Sequence, residues 1–175
     1  RAAIKAGYDL HFYGGHALKH HLREQGIVAE QTLTDRRMMP PIRPATLGGQ
    51  FRLLWDYIKR FTGTVFQLGK IHREDVVYAV TDFWFDVWPM LLSRASRKVM
   101  ILGMDAPTLL EIIRCSRPDV PPVRLNSIYY WASQFLSLRL FRFCTNKQLL
   151  YVHPMMKPRL LALGYRESEL TYVSN

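Results

Sequence analysis

The stretch DVVYAVTDFWFDVWPMLLSRASRKVMILGMD, residues 75–105, decides the fold. Its runs VVYAV and VMILGM are apolar almost throughout, which is typical of parallel strands covered on both faces. Between them apolar residues follow the spacing of a helix, at Phe83, Val87, Met90 and Leu91. Pro89 lies inside this helical pattern and is expected to kink or divide it. A strand, a helix and a second strand in this order predict an α/β fold with a parallel sheet.

Other short runs rich in β-branched, aromatic and aliphatic residues alternate with helical patterns along the chain. They are AAIKAGY, IVAEQTL, KQLLYVHP and LTYVS. Residues 109–113 and 125–143 are predicted helices, the second with Ser127 as its N-cap. The sequence therefore predicts a single Rossmann-like domain over residues 1–175, with a parallel sheet and helices on both faces in three α/β/α layers.

Composition restricts the class of protein. With 175 residues, 49% of them apolar and 13% aromatic, the chain can bury a core and is not of the disordered type. Its two cysteines, Cys115 and Cys144, lack metal-ligand spacing, so free thiols in a reducing, cytoplasmic compartment are expected. No apolar run approaches the roughly 18 residues of a membrane span. The start at Arg1 and the end at TYVSN suggest a piece of a longer protein.

Positive charge is concentrated in one region. The formal net charge of +10 favours an anionic partner of some kind. Between Arg36 and Arg73 eight basic residues stand against one acid, and MMPPIRPATLGG in this region is not a pattern of regular structure. Residues 36–62 are therefore predicted to form a basic insertion. Its later part carries an apolar stripe, Phe51, Leu54, Trp55, Ile58 and Phe61, which fits either a helix packed on the sheet or an interfacial amphipathic helix.

A glycine pair marks the other candidate site. In DLHFYGGHALKHHLREQG, residues 9–26, Gly14 and Gly15 stand where a strand ends and a helix begins. The first N–H groups of a helix attract phosphate, and His16 could donate to it or act as a base. A tight turn without a ligand is the alternative, because neither GxGxxG nor a P-loop is present. His20 and His21 lie further along the helix and are expected to face solvent.

Two aspartates follow the apolar runs. Asp105 follows VMILGM and precedes Ala106 and Pro107, so it is either an N-cap or a functional carboxylate at the sheet edge. Asp82, after VVYAVT, has the same two interpretations. The aromatic run DFWFDVW that begins at Asp82 is expected to belong to the core rather than to a sugar-stacking platform.

The last part of the chain resembles a known family. RLFRFCTNKQLLYVHPMMKPRLLALGYRESELTYVSN is similar to the end of the N-terminal domain of GT-B fold nucleotide-sugar glycosyltransferases, where a long helix, a short strand, a helix ending in L…LG and a strand running to Asn follow one another. GGHALKHHLREQGIVAEQTLT similarly resembles the first helix and second strand of that domain. Met104 departs from the family, since many relatives carry histidine before the aspartate.

The resemblance implies transfer of a sugar from a nucleotide-sugar donor to an acceptor hydroxyl on a glycan or a lipid-linked acceptor. Asp105 and His16 become candidate catalytic residues, Gly14 and Gly15 would lie beside the donor diphosphate, and no cofactor or metal is expected in this domain. The donor would bind to a second domain, without which this one is expected to be inactive.

The insertion would contact the acceptor or an anionic membrane on the cytoplasmic side through Arg36, Arg37, Arg43, Arg52, Trp55, Lys59 and Arg60. The alternative is a basic α/β module that binds a nucleic-acid backbone through Arg36, Arg37, Arg43 and Lys59. No helix-turn-helix, RNA-binding or zinc signature supports it, so no nucleic-acid partner is expected. A different doubly wound enzyme, an oxidoreductase or a sugar epimerase, is disfavoured by the missing GxGxxG.

Overall fold

A computed structural model describes residues 9–14, 20, 23–24, 30–33, 46–103, 108–114, 116 and 124–173. The chain forms two compact units, an N-terminal unit of residues 1–67 and a C-terminal unit of residues 68–175. Among the described helices, none is both long and apolar enough to cross a membrane.

The N-terminal unit contains two short strands and a long helix. Strands β1 (His11–Gly14) and β2 (Glu30–Leu33) pair in parallel. Helix α1 (Leu47–Val65) contacts β1 and begins at an N-cap, Thr46, whose Oγ1 accepts a hydrogen bond of 3.1 Å from the N–H of Gly49. The run IVAEQTL thus contains a strand in its second half, whereas AAIKAGY lies outside the described residues.

The C-terminal unit contains a four-stranded sheet in the order β3-β4-β5-β6, with all neighbours parallel. Its strands are β3 (Val76–Ala79), β4 (Arg97–Leu102), β5 (Lys147–Tyr151) and β6 (Leu170–Tyr172). Its helices are α2 (Trp84–Leu92), α3 (Leu109–Arg114), α4 (Arg124–Phe141) and α5 (Met156–Ala162), with 3₁₀ turns at Leu68–Lys70 and Glu167–Glu169. This arrangement confirms the prediction of an α/β fold with a Rossmann-like parallel sheet.

One face of this sheet forms the core. Alternate strand residues point to it, and the register of the ladders aligns them across the strands. They pack with residues of α2, α4 and α5 in one cluster, which includes Ala79, Val87, Met90, Met100, Leu102, Leu138, Phe141, Leu149, Tyr151 and Leu160. The interior is sealed further by Tyr165, whose hydroxyl donates a hydrogen bond of 2.6 Å to the carbonyl oxygen of Leu138.

The opposite face of the sheet is more open. Val76, Tyr78 and Val80 at β3 are exposed, while Val99 on β4 is buried. The described helices α2, α4 and α5 pack on the core face, so the second helix layer of the three-layer prediction stays a prediction.

Two details of the helices differ from what the sequence suggests. Helix α4 already begins at Arg124, so Ser127 lies inside the helix as a buried residue and the prediction that it is the N-cap is wrong. Helix α2 continues through Pro89 to Leu92 and is not divided there.

Candidate functional site

The carboxyl ends of the four parallel strands lie along one edge of the C-terminal sheet. We call this edge the carboxyl edge; it carries Thr81 and Asp82 after β3, Gly103 after β4 and His153 after β5. Open α/β sheets bind their ligands outside the carboxyl ends of the strands. Functional side chains of the C-terminal unit are therefore expected at this edge.

Asp82 is a buried carboxyl group at this edge, only 4% exposed. The side-chain amide of Gln134 on α4 donates a hydrogen bond of 2.6 Å to Asp82 Oδ2. Burial raises the pKa of Asp82, the hydrogen bonds from Gln134 and Tyr130 oppose this increase, and the nearby Asp86 adds to it. A carboxyl group of this kind exchanges its proton closer to neutral pH than an ordinary aspartate does.

The alternative role of Asp82, capping of α2, is not observed. The N-cap residue of α2 is Phe83, and the side chain of Phe83 makes no capping hydrogen bond. The carboxylate is directed instead to a partner 52 residues further along the chain. The interpretation of Asp82 as an N-cap is therefore wrong, and its interpretation as a functional carboxylate stays a prediction.

Helix α4 also holds the segment next to Asp82. The backbone N–H of Trp84 donates a hydrogen bond of 2.9 Å to Ser133 Oγ, and the indole N–H of Trp84 donates to the hydroxyl of Tyr129. The ring of Phe83 stacks on Tyr130 with 5.0 Å between centroids. Since Phe85 is buried and its aromatic neighbours are partly buried, the prediction that this run belongs to the core is confirmed.

A second polar group lies beside Asp82. Thr81 Oγ1 donates a hydrogen bond of 2.6 Å to Asp86 Oδ2, and the N–H of Phe83 donates to Thr81 Oγ1 over 3.3 Å. Asp86 lies in the first turn of α2, where a negative charge is favoured by the helix dipole. Two carboxyl groups with different environments thus lie close together in sequence, Asp82 in the loop that follows β3 and Asp86 in the first turn of α2.

His153 is a titratable side chain that the sequence prediction did not single out. It is exposed just after β5, and its Nδ1 accepts a hydrogen bond of 3.3 Å from the N–H of Met155. In the neutral imidazole this contact leaves the proton on Nε2. The sequence signal that could have identified His153 is a histidine two residues after a strand of a parallel sheet.

The residues predicted for the donor and the catalytic step are only partly described. Gly14 is the last residue of β1, at the carboxyl end of a parallel strand as predicted. Gly15, His16 and Asp105 lie outside the described residues, so their roles stay predictions. His20 is exposed, as expected, and its Nδ1 lies 3.5 Å from Glu24 Oε2.

Only some of the residues predicted to contact the acceptor or a membrane belong to the described part of the chain. Arg52, Trp55, Lys59 and Arg60 belong to α1, whereas Arg36, Arg37 and Arg43 lie outside the described residues. Within the apolar stripe of α1, Phe51, Leu54 and Trp55 are exposed, and only Ile58 and Phe61 are partly buried. The first half of the stripe therefore does not pack as a core-facing helix would.

Within the described ranges, no group of three or more histidine, cysteine, aspartate or glutamate side chains could hold a metal ion. No family of known proteins matches the chain, and no curated protein and no solved structure matches it.

Proposed function

We propose that this chain is the acceptor-binding domain of a glycosyltransferase of the GT-B type, which transfers a sugar from a nucleotide-sugar donor to a hydroxyl group. The observation that carries this proposal is the Rossmann-like parallel sheet with a buried carboxyl group at its carboxyl edge. A sheet of this kind is shared by many enzymes, so the chemistry has to come from the side chains at that edge.

Transfer of a sugar requires an acceptor oxygen held at the anomeric carbon and a group that receives its proton. Asp105 is proposed for the second role, with His16 as the other candidate. Asp105 follows Gly103 by two residues in the sequence. Strand β4 ends just before Gly103 and pairs with β3. Neighbouring strands are roughly 5 Å apart, so the carboxyl ends of β3 and β4 lie side by side.

Asp82 is proposed as a positioning residue in this arrangement. Its contacts to Gln134 and Tyr130 tie the loop after β3 to α4. That tie would keep the neighbouring loop, and with it the acceptor hydroxyl, in a fixed orientation. At the donor side, Gly14 and Gly15 would allow the diphosphate to approach the backbone, and N–H groups would stabilise the leaving group.

The proposal is tested by assaying sugar transfer with the full-length protein that contains this chain. We expect it to transfer a sugar from one member of a panel of nucleotide sugars, and we expect Asp105→Asn to lower kcat by a factor of roughly 100 or more. The exposed Glu74→Gln is the matched control and should keep the rate of the unmodified protein. An unchanged kcat for Asp105→Asn would remove Asp105 from the mechanism. Absence of both transfer and donor hydrolysis across the panel would overturn the proposed function itself.

A further inference from the structure

One side of α1 is exposed along its whole length. The exposed positions recur at helical spacing and continue past the last residue of the helix, at Gly48, Phe51, Arg52, Trp55, Lys59, Thr62 and Phe66. Three of them are aromatic, with exposed fractions of 71% for Phe51, 57% for Trp55 and 84% for Phe66. Aromatic side chains this large are normally buried, so their alignment on one side of a helix indicates a binding surface.

The exposed charges on this side are positive. Arg52 and Lys59 are exposed, and the Lys59 ammonium group lies 5.6 Å from the centroid of the Trp55 ring. The one acid of α1, Asp56, is only 8% exposed, and its Oδ1 lies 3.9 Å from Lys59 Nζ. We call Phe51, Arg52, Trp55, Lys59 and Phe66 the aromatic-cationic face of α1.

We propose that the aromatic-cationic face of α1 docks on the surface of an anionic lipid bilayer. Aromatic rings on one side of a helix enter the boundary between headgroups and acyl chains, while cations beside them contact lipid phosphates. The helix would lie flat, since the face extends over about 22 Å at 1.5 Å per residue. Two cations are few for binding a nucleic-acid duplex, and three exposed aromatic rings suit a bilayer better.

This inference does not depend on sugar transfer. It is carried by the exposed side chains of one helix, and the binding is measured with vesicles in the absence of donor and acceptor. Failure of the docking proposal and failure of the proposed function can therefore be told apart.

The test is co-sedimentation of the full-length protein with two kinds of vesicle, phosphatidylcholine with about one third phosphatidylglycerol and phosphatidylcholine alone. We expect preferential binding to the anionic vesicles. The double variant Arg52→Gln/Lys59→Gln should bind about 25-fold more weakly, because each cation near an anionic surface contributes a factor of about five. The double variant Phe51→Ser/Trp55→Ser should lose at least about tenfold, because its apolar contact with the boundary region is removed.

Matched controls come from the C-terminal unit. Phe143→Ser removes an aromatic ring that is 76% exposed, and Arg94→Gln/Arg97→Gln removes two exposed cations. Both should bind vesicles like the unmodified protein, and circular dichroism should show that all variants keep their helices. Undiminished binding of Phe51→Ser/Trp55→Ser would overturn the proposal, and so would an equal loss in the controls. Binding to random DNA duplex without binding to either vesicle would replace the bilayer by nucleic acid as the partner.

Discussion

At the scale of single residues, burial separates two lysine–glutamate pairs that look alike in sequence. Lys147 Nζ lies 2.9 Å from Glu169 Oε1, and their side chains are only 7% and 14% exposed. In the second pair, Lys157 and Glu167, the side chains are 39% and 76% exposed. Only the first pair is shielded enough from water to stabilise the fold noticeably.

The variant Glu169→Gln should therefore destabilise the protein by about 1–3 kcal/mol, since a hydrogen bond to a charged group is lost in a shielded site. Glu167→Gln, the matched control, should leave the unfolding free energy unchanged within error. Urea denaturation followed by circular dichroism measures both. Equal effects of the two substitutions would contradict the assignment.

The contribution of Glu169 should also depend on pH. Burial alone would raise the pKa of Glu169, but the backbone N–H of Arg166 and the ammonium group of Lys147 lower it overall. A carboxylate with a lowered pKa in the folded state stabilises that state above its usual pKa. This contribution is lost as the pH falls through the lowered value, so Glu169→Gln should differ least from the unmodified protein in acid.

Asp82 should show the opposite dependence. Because burial raises the pKa of Asp82, the folded protein holds this proton more tightly than the unfolded chain. Its contribution to stability is then greatest below the usual pKa of aspartate and declines as the pH rises through the raised value.

We expect the unmodified protein to lose more stability than Asp82→Asn when the pH is increased from about 4 to about 7. Urea denaturation at each pH gives the difference, with the exposed Glu74→Gln as a charge control. Parallel pH profiles for the unmodified protein and Asp82→Asn would contradict the raised pKa.

At the scale of elements, the end of α5 depends on one glycine. Gly164 has φ of +89°, and hydrogen bonds from Gly164 N to Leu161 O (2.9 Å) and from Tyr165 N to Leu160 O (3.2 Å) close the last turn. Side chains rarely adopt this backbone conformation. An added Cβ would also lie 3.0 Å from the guanidinium group of Arg142, which donates a hydrogen bond to Leu163 O.

Gly164→Ala should consequently destabilise the protein by about 1 kcal/mol or more. Gly69→Ala is the matched control, because a Cβ there has no atom within 4 Å and the position has no positive φ. Thermal denaturation of both variants measures the difference. An unchanged stability of Gly164→Ala would show that the end of α5 does not depend on the glycine.

The elements also show what the sequence can and cannot predict. The apolar runs predict strands β3 to β6, since a strand in a parallel sheet is recognisable from its own residues. The ends of helices are harder to predict from local sequence than strands are. Helix α4 begins before Ser127, so this serine lies inside the helix although its residue type favours the N-cap position. The stripe of α1 gave a correct helix, but periodicity alone does not say which side of it is covered.

The candidate site is harder to predict than the fold. Asp82 stands out in the sequence as a carboxylate after an apolar run, yet its partner Gln134 is 52 residues away. Only the packing of α4 beside the loop after β3 brings the two side chains together. No local pattern contains that contact.

At the scale of the whole molecule, the C-terminal unit has a core of its own. The residues of the buried cluster lie between Ala79 and Tyr165, and none of the described residues of the N-terminal unit belongs to it. Residues 68–175 should therefore fold on their own, with a cooperative thermal transition in circular dichroism and dispersed amide signals in NMR spectra.

A shorter fragment of residues 68–152 is the control. It keeps β3 to β5 but lacks Met156, Leu160 and Tyr165, which complete the core. We expect it to unfold without a cooperative transition. A fragment 68–175 that is equally unstructured would show that the C-terminal unit is not an independent folding unit.

The four tryptophans are distributed unevenly between the two units. Trp55 in the N-terminal unit is 57% exposed. Trp84 and Trp88 pack edge to face at 5.5 Å in the C-terminal unit, and Trp131 stacks on Phe135. Intrinsic fluorescence should therefore combine an emission that iodide quenches with one that it reaches poorly. An unlabelled sample thus carries a separate optical reporter for each half of the chain.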